Sequence, residues 1–300
     1  MPEPTNSRLI VTGGRGRLAS LIAEHFRASE PGLSLYSRQG GPGLLPLPEL
    51  IPALGTGESS ALLHLAWSTL PATSEKDPGM EEKQDLPLLK NLLEAIAASP
   101  KTKRLHFVFF SSGGTVYGNA PGRANVETDA CLPIGSYGRA KRAAEQLIAT
   151  YATYHGLACT ILRISNPYGY PVPQNRAQGL IPHALRCAVE GQPLTLWGDG
   201  TARKDFLHYT DFLAALELVI SRRLTGTYNL SAGESHTVSE VISLVEKHTG
   251  RRVPLQPKPA LAWDVHDSRL DNARFIAATG WKVSVNLDEG IRRAAGYQQP

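Results

Sequence analysis

A tyrosine and a lysine four residues apart carry the clearest chemical signal in the sequence. Tyr137 and Lys141 begin a run, 136–149, that is rich in the helix-forming residues Ala, Leu, Gln and Glu. On a helix their side chains share one face, a spacing that an ordinary amphipathic helix also produces. A cation beside a phenol favours the phenolate, so we expect Lys141 to lower the pKa of Tyr137. Such a tyrosine can exchange a proton with an alcohol or a carbonyl at neutral pH.

A glycine-rich turn near the start of the chain predicts a dinucleotide site. The apolar run 9–11 has the character of a buried parallel strand, and residues 21–26 have helical spacing. Between them the sequence fits the G-x-G-x-x-A form of the dinucleotide fingerprint, whose glycines let the backbone approach a pyrophosphate at the helix N-terminus. The predicted cofactor contacts in this turn are Gly13, Gly14, Arg15, Gly16, Arg17 and Leu18.

The end of the second predicted strand, 33–36, favours NADP over NAD. An NAD site usually carries Asp or Glu there for the ribose hydroxyls, whereas this chain has Ser37 and Arg38. Arginine suits a 2′-phosphate, and Arg15 in the glycine turn can join it. We predict NADP as the cofactor, with NAD as the alternative.

Two more predicted strands end in candidate residues. Strand 61–66 contains His64, expected to be structural, and strand 105–110 runs into a stretch of serines, glycines and threonine. Ligands of doubly wound sheets bind outside the carboxyl ends of the strands. The hydroxyls after strand 105–110 are therefore site candidates, and we predict further cofactor contacts at Leu65, Ala66, Trp67 and Ser111. A helix is expected over 85–98, a polar loop over 67–80, and no clear strand over 40–57.

Composition excludes several classes of protein. The 300 residues are 42% hydrophobic, which predicts a soluble globular chain of one or two domains. A net charge of +4 without a dense basic run suits an anionic ligand rather than nucleic acid. No apolar run approaches membrane-spanning length, and the polar start, 1–7, leaves no room for a signal peptide. Cys131, Cys159 and Cys187 are far apart, so we expect reduced thiols, no metal site and a cytoplasmic location.

A series of motifs along nearly the whole chain, in the expected order, resembles the extended short-chain dehydrogenase/reductase superfamily. The matching stretches are Thr12-Gly13-Gly14, His64-Leu65-Ala66, 111–118, Tyr137 with Lys141, Leu162-Arg163, Asn166-Pro167-Tyr168-Gly169, Trp197-Gly198-Asp199-Gly200, 205–211, Thr279-Gly280-Trp281 and 287–291. Within the superfamily they are most similar to the NAD(P)-dependent nucleotide-sugar epimerase/dehydratase family, in particular the UDP-glucose/galactose 4-epimerases.

This resemblance implies an α/β fold. A Rossmann-type doubly wound parallel sheet is expected over 1–165, and a smaller C-terminal substrate-binding lobe over 166–300, with some segments returning to the first domain. It also implies a homodimer, since the helix of Tyr137 and the preceding long helix form the dimer contact in the family. Lys141 would hold the nicotinamide ribose.

The resemblance also implies substrate contacts, and the sequence departs from the family at several of them. Asn166 matches the residue that contacts the diphosphate. Lys204, with Arg203 beside it, stands where an arginine clamp is usual. Gly113 stands at the catalytic Ser/Thr position, so the resemblance implies that Ser112 or Thr115 supplies the catalytic hydroxyl. A second arginine, expected a few residues before Asp264, is absent, and so is an acidic pair near the adenine.

Three functions follow from these observations. The first is a nucleotide-sugar 4-epimerase, which oxidises C4 of a nucleoside-diphosphate sugar to a 4-keto intermediate and reduces it from the other face. The second is an NADPH-dependent 4-ketoreductase of deoxysugar synthesis, favoured by Arg38 and the altered diphosphate contacts. The third is a cofactor-binding protein with impaired catalysis, suggested by Gly113. Intact Tyr137 and Lys141 argue against the third.

Overall fold

The computed structural model describes residues 8–30, 32–56, 60–120, 122–171 and 179–297. It divides into two compact units. The first comprises Met1–Ser111, Ser136–Leu162 and Glu217–Thr227, and the second comprises Ser112–Gly135, Arg163–Leu216 and Tyr228–Pro300. The polar start, 1–7, on which the expectation about a signal peptide depends, lies outside the described residues.

Strands and helices alternate through most of the chain. The strands are β1 (Leu9–Thr12), β2 (Ser34–Ser37), β3 (Leu45–Pro46), β4 (Ala61–His64), β5 (His106–Ser112), β6 (Ala158–Ile164), β7 (Asn166–Tyr168), β8 (Leu194–Trp197), β9 (Arg203–His208), β10 (Gly226–Leu230), β11 (Ser235–Thr237) and β12 (Leu255–Lys258). The helices are α1 (Arg17–Phe26), α2 (Leu50–Thr56), α3 (Pro71–Ser74), α4 (Met80–Lys83), α5 (Asp85–Ala98), α6 (Gly113–Val116), α7 (Ser136–His155), α8 (Leu180–Glu190), α9 (Tyr209–Ser221), α10 (Val238–Thr249), α11 (Ala273–Thr279) and α12 (Leu287–Gly296).

A seven-stranded parallel sheet in the order β10-β6-β5-β4-β1-β2-β3 confirms the predicted Rossmann-type fold. The chain passes from β1 to β2 and β3 on one side, then returns to β4 on the other side of β1. Thr12, at the end of β1, is in register with Tyr36 on β2 and with His64 on β4. The strand order therefore reverses at β1, which is where a doubly wound sheet binds its ligand.

The sheet forms because its strands are apolar on both faces. All four residues of β1 and all four of β4 are buried, as expected for parallel strands covered by helices. His64 accepts or donates a 3.0 Å hydrogen bond with Thr12 and stacks near the rings of Phe107 and Phe109. Burial lowers its pKa to about 3, so His64 is neutral at physiological pH. This agrees with the structural role expected for it.

The second unit contains two small sheets, ordered β11-β9-β7 and β12-β8. Helices α8, α10 and α12 pack around a core whose largest members include Tyr168, Phe206 and Ile291. Asp205 on β9 is fully buried and accepts hydrogen bonds from the backbone N–H groups of Ala232 and Gly233. These bonds tie β9 to the loop after β10.

The two units divide the chain differently from the predicted domains, since residues 112–135 and 163–165 both belong to the second unit. Residues 112–135 group with the second unit, because their polar groups bond there. The Tyr117 hydroxyl donates to Asn229 (2.7 Å), and the backbone N–H of Asn125 donates to the carbonyl of Arg269 (2.9 Å). Residues 217–227 belong to the first unit.

Two stretches contain more structure than the sequence predicted. The region expected to be a polar loop contains α3 and leads into α4, and the region without a clear strand contains β3, a 3-10 turn and α2. These elements are two to seven residues long, too short to show a hydrophobic period. No helix in the described part of the chain is both long and apolar enough to cross a bilayer.

Candidate active site

The turn after β1 approaches the end of β4 so closely that only glycine fits at Gly13. Its φ is +76°, and a Cβ there would lie 2.8 Å from the backbone nitrogen of Ala66 and 2.9 Å from the carbonyl carbon of Leu65. Gly16 closes the turn by donating to the Gly13 carbonyl (2.7 Å). Gly14 has a different role, since its N–H donates to the carbonyl of Tyr36 on β2. The fingerprint therefore forms a backbone cradle at the switch point of the sheet.

A cavity of about 400 Å³ opens beside this cradle within the first unit. The predicted cofactor residues that line it are Gly13, Arg15, Gly16, Ser37, Arg38, Leu65, Ala66 and Trp67. Those that do not line it are Gly14, Arg17, Leu18, Ser111, Tyr137 and Lys141. The cradle, the cavity beside it and the position at the switch point fit a dinucleotide cofactor.

Both predicted phosphate-binding arginines lie in this cavity and donate to neutral acceptors. A guanidinium nitrogen of Arg15 bonds the carbonyl of Gly40 (2.7 Å), and one of Arg38 bonds the hydroxyl of Ser68 (2.7 Å). Ser37 is buried at the end of β2, and its hydroxyl lies 3.4 Å from the same Gly40 carbonyl. The cavity thus receives one cation from the glycine turn and one from the end of β2, and no carboxylate from β2.

The sequence did not predict Asp85, which also lines the cavity. It is 3% exposed and accepts hydrogen bonds from the Ser68 backbone N–H (3.0 and 3.1 Å) and hydroxyl (2.8 Å). Its position as the first residue of α5 resembles ordinary acidic capping, so no sequence signal distinguished it. Ser68 therefore links Arg38 to Asp85.

The lysine of the predicted pair lies directly behind the cavity wall. The Lys141 Nζ is 3.8 Å from the ring centroid of Trp67, which lines the cavity, and 4.8 Å from that of Phe109. It donates a 2.9 Å hydrogen bond to the carbonyl of Phe110 at the end of β5. The Tyr137 ring centroid lies 5.7 Å from the same Nζ. Helix α7 therefore brings the two residues together, as their spacing predicted.

The prediction that Lys141 lowers the pKa of Tyr137 is wrong for this structure. Burial raises the Tyr137 pKa, and the carboxylates of Glu81 and Asp85 raise it further. Burial also lowers the pKa of Lys141 to about 7, against the carboxylates of Asp85, Glu145 and Glu81, which raise it. Desolvation outweighs the attraction between the pair because Lys141 is buried and Tyr137 is half-buried. Tyr137 is accordingly a neutral phenol at physiological pH, and so a proton donor.

Ser111, predicted as a cofactor contact, instead bonds a neighbouring helix. Its hydroxyl donates to the buried carboxylate of Glu145 on α7 (2.6 Å). Arg142 donates to the other oxygen of that carboxylate (3.0 Å). These bonds fix the rotation of α7 relative to the end of β5.

In the second unit, Gly113 lies where no side chain fits. A Cβ at this position would be 2.9 Å from the carbonyl oxygen of Arg163, and it would overlap a methyl group of Leu270. The side chain of Leu270 thus occupies the space that a serine or threonine side chain at position 113 would need. Of the two predicted hydroxyls, Thr115 Oγ1 is buried and has no hydrogen-bond partner among the described residues. Ser112 precedes α6 and is half-buried.

The predicted diphosphate contacts are engaged within the second unit. The amide nitrogen of Asn166 donates to the carbonyl of Asp205 (2.8 Å). Lys204 Nζ bonds a carboxylate oxygen of Asp264 (2.8 Å) and the carbonyl of Val265. An Arg203 guanidinium nitrogen is 3.3 Å from the carbonyl of Ser235. Asn166 and Arg203 are exposed at the surface of the unit, whereas Lys204 is half-buried in an ion pair.

Comparison with known proteins identifies relatives over the whole chain. Residues 9–231 match the model of the NAD dependent epimerase/dehydratase family. A dTDP-4-dehydro-6-deoxyglucose reductase of Escherichia coli is 29% identical over 77% of this chain and 72% of its own. A UDP-glucose 4-epimerase of Corynebacterium glutamicum is 27% identical over 91% and 90%. The structure of the Thermus thermophilus UDP-glucose 4-epimerase in complex with NAD is 27% identical, covers 97% of this chain and 98% of its own, and superposes with a TM-score of 0.86.

Proposed function

The chain belongs to the NAD dependent epimerase/dehydratase family, and on that premise we propose that it is a nucleotide-sugar 4-epimerase. One observation carries the proposal: Lys141 packs against Trp67, which lines the dinucleotide cavity, and Tyr137 lies beside Lys141 on α7. Similarity to UDP-glucose 4-epimerases over nine-tenths of the chain or more supports a UDP-hexose as substrate.

In the proposed reaction, Tyr137 carries the proton of the C4 oxygen. As a neutral phenol it must first lose its own proton to solvent. The phenolate then accepts the C4 proton as C4 is oxidised to the ketone, and returns it as the ketone is reduced from the opposite face. A bound nicotinamide cofactor would supply the hydride chemistry. The glycine turn at the start of α1 would hold the pyrophosphate, because Gly13 and Gly16 carry no side chain that would keep it away from the backbone. Lys141 would hold the nicotinamide ribose next to Tyr137.

We propose that Thr115 contacts the substrate in place of the missing side chain at Gly113. A buried hydroxyl without a partner is uncommon, and substrate would satisfy it. We therefore expect Thr115→Val to lower turnover more than cofactor affinity, and more than Ser112→Ala does. Equal and full activity in both variants would exclude a hydroxyl from this loop. Asn166, Arg203 and Lys204 remain the proposed contacts of the diphosphate, and Lys204 would have to exchange Asp264 for it.

The proposed cofactor is NADP. Arg15 and Arg38 face the cavity, and each donates to a neutral oxygen, so a 2′-phosphate would offer both a stronger, charge-assisted acceptor. The carboxylate of Asp85, which a bare ribose hydroxyl would favour, is already bonded by Ser68.

A 4-ketoreductase is the second candidate, and the state of Tyr137 favours it. A neutral phenol is a proton donor, which suits reduction of a ketone. NADP preference and the relative that is a dTDP-sugar reductase point the same way. The intact Tyr137 and Lys141 argue against the third alternative, a cofactor-binding protein with impaired catalysis.

Assembly and location complete the proposal. We expect a cytoplasmic homodimer in which α5 and α7 meet their own copies, an isologous contact. Both helices are long enough for this, at 14 and 20 residues. A monomer in light scattering at micromolar concentration would contradict it.

One assay separates the two reactions. The purified protein is incubated with UDP-glucose or dTDP-glucose without added reductant, and separately with a dTDP-4-keto-6-deoxyhexose and NADPH. The C4 configuration is read by proton NMR. The epimerase predicts the galacto-isomer from a UDP- or dTDP-hexose. Consumption of NADPH with the ketone, and no epimer from either hexose, would replace the epimerase with the reductase.

A further inference from the structure

Lys141 is a buried cation whose direct contacts are all uncharged. It is 4% exposed, and its ammonium group touches the carbonyl of Phe110 and the rings of Trp67 and Phe109. Among the residues that the structure describes, no carboxylate lies within ion-pair distance of Nζ. A buried ammonium is costly unless negative charge compensates it. The compensating charge for Lys141 must therefore act from a longer distance.

Two buried carboxylates that precede or begin α5 supply such charge. Glu81 on α4 is 1% exposed, and Asp85 at the start of α5 is 3% exposed. Helix α4 packs against both α5 and α7, the helix of Lys141. The other titratable groups that face Lys141 are Glu145 and Tyr137 on α7 and the neutral His64 on β4.

Glu81 is unusual because only one of its two buried carboxylate oxygens has a hydrogen-bond partner among the described residues. One carboxylate oxygen accepts from the hydroxyl of Thr69, and the other, Oε2, is buried with no partner in the described part of the chain. A buried polar atom without a partner is rare and calls for a reason. Glu81 does not line the dinucleotide cavity, whereas Asp85 does. The feature of Glu81 that its contacts leave unused is its charge.

We propose that Glu81 is a positioning residue for the Tyr137–Lys141 pair: together with Asp85, its carboxylate keeps the buried Lys141 side chain in the ammonium form. This proposal rests on the proposed acid/base role of the pair. Among the described residues Glu81 neither lines the cavity nor hydrogen-bonds Tyr137, so it acts on the pair through its charge, which also raises the pKa of Tyr137.

The direction of the effect follows from the charges. The ammonium form is present below the pKa of Lys141 and is lost as the pH rises through it. Burial places that pKa at about 7, and the carboxylates of Asp85, Glu145 and Glu81 oppose a further fall. Removing the charge of Glu81 should therefore lower the pKa, so that the neutral amine prevails at physiological pH.

Titration of Lys141 tests this without an activity assay. Protein labelled with ¹³C at the lysine Cε positions is titrated by NMR, and the Lys141→Arg variant identifies the resonance. In Glu81→Gln we expect the midpoint of Lys141 to fall below its wild-type value, and by less than in Asp85→Asn, because the charge of Asp85 acts more strongly on Lys141. Glu81→Asp, which keeps the charge, should retain the wild-type midpoint. Glu82→Gln is the matched control, because Glu82 is an exposed carboxylate on the same helix.

A kinetic measurement follows the same shift. With saturating cofactor and substrate, the alkaline limb of the kcat profile should move to lower pH in Glu81→Gln, while the plateau below it stays at the wild-type level. If Glu81→Gln does not fold, the double variant Glu81→Met with Thr69→Val, which removes the charge together with its hydrogen-bond partner, takes its place in the titration. A midpoint unchanged by Glu81→Gln would overturn the proposal and leave the proposed function intact. Failure of the wild type to turn over nucleotide sugars would remove the proposed function and leave the titration result standing.

Discussion

Arg15 and Arg38 share one cavity, and neither is paired with a carboxylate among the described residues. Each guanidinium donates to a neutral oxygen, of Gly40 or of Ser68. Hydrogen bonds that involve a charged group contribute roughly 1.5–3 kcal/mol each. Two such bonds to a 2′-phosphate would lower the dissociation constant of NADP relative to that of NAD by one to several decades. The difference is smaller if the exposed guanidiniums stay solvated.

Replacing Arg38 with aspartate should therefore reverse the cofactor preference. The new carboxylate repels a 2′-phosphate and accepts hydrogen bonds from ribose hydroxyls. Calorimetric dissociation constants of NAD and NADP, for wild type and Arg38→Asp, measure the change. Arg27→Asp is the control, since Arg27 is exposed at the end of α1 and does not line the cavity. Tighter binding of NAD than NADP by the wild type would refute the assignment.

A side chain at Gly113 should destabilise the protein instead of restoring the family's hydroxyl. The space that a Cβ would take is filled by Leu270 and the carbonyl of Arg163. Overpacking of this kind costs roughly 1–3 kcal/mol. We expect Gly113→Ser to lower the free energy of unfolding in urea by that amount. In a protein that already carries Leu270→Ala, the same substitution should cost less. Full stability of Gly113→Ser would show that Leu270 moves aside at no cost.

At the scale of elements, the segment between β4 and α5 supports the catalytic helix. Glu75, at the end of α3, accepts a hydrogen bond from the backbone N–H of Ser136, the first residue of α7. Helix α3 and helix α4 both pack against α7. The start of α7, which carries Tyr137 and Lys141, is thus held by a carboxylate from another element.

Removing that carboxylate should loosen the start of α7. We expect Glu75→Ala to cost about 0.5–2 kcal/mol, the range for loss of a helix N-cap, and to lower kcat. Asp77→Ala is the control, because Asp77 is an exposed acid two residues along the same segment. Urea unfolding and steady-state kinetics measure the two effects. If Glu75→Ala and Asp77→Ala behave alike, the Glu75 contact does not position α7.

The elements that the sequence predicted well are those with a local signal. The bounds of α5 were predicted at 85–98 as observed, because apolar residues repeat along it with the helical period. The glycine turn and the pairing of Tyr137 with Lys141 also depend on spacing alone. By contrast, the burial of Glu81 and Asp85 around Lys141 arises from tertiary packing of short elements. Local spacing therefore predicted which residues meet, and the pKa values depended on packing that it does not encode.

Across the whole molecule, buried ionisable groups set the dependence of stability on pH. Burial lowers the pKa of His64 to about 3 and those of His106 and His208 to about 4. Their unfolded pKa is about 6.5. Because each folded pKa is lowered, their contribution to stability is present above pH 6.5 and is lost as the pH falls towards 4. Asp205, whose pKa burial raises to about 7, acts in the opposite direction over the same range.

Three histidines against one strongly shifted aspartate predict a lower stability at pH 5 than at pH 7. Each group changes the free energy of unfolding by about 1.4 kcal/mol per pH unit between its two pKa values. After the gain from Asp205, and a smaller one from Asp85, we expect a net loss of roughly 1–3 kcal/mol. Urea unfolding at the two pH values measures it. Equal or greater stability at pH 5 would mean that these histidines are protonated in the folded protein.

The central claim is that Tyr137 carries the proton of a nucleotide-sugar reaction in this molecule. Its most direct test is the rate of C4 epimerisation of UDP-glucose, followed by proton NMR, for wild type and Tyr137→Phe. Calorimetric cofactor affinities are measured on the same preparations. Tyr137→Phe should bind cofactor nearly as wild type does and turn over ~10²–10⁴-fold more slowly, as expected for loss of a general acid/base. Turnover close to the wild-type rate in Tyr137→Phe would contradict the account.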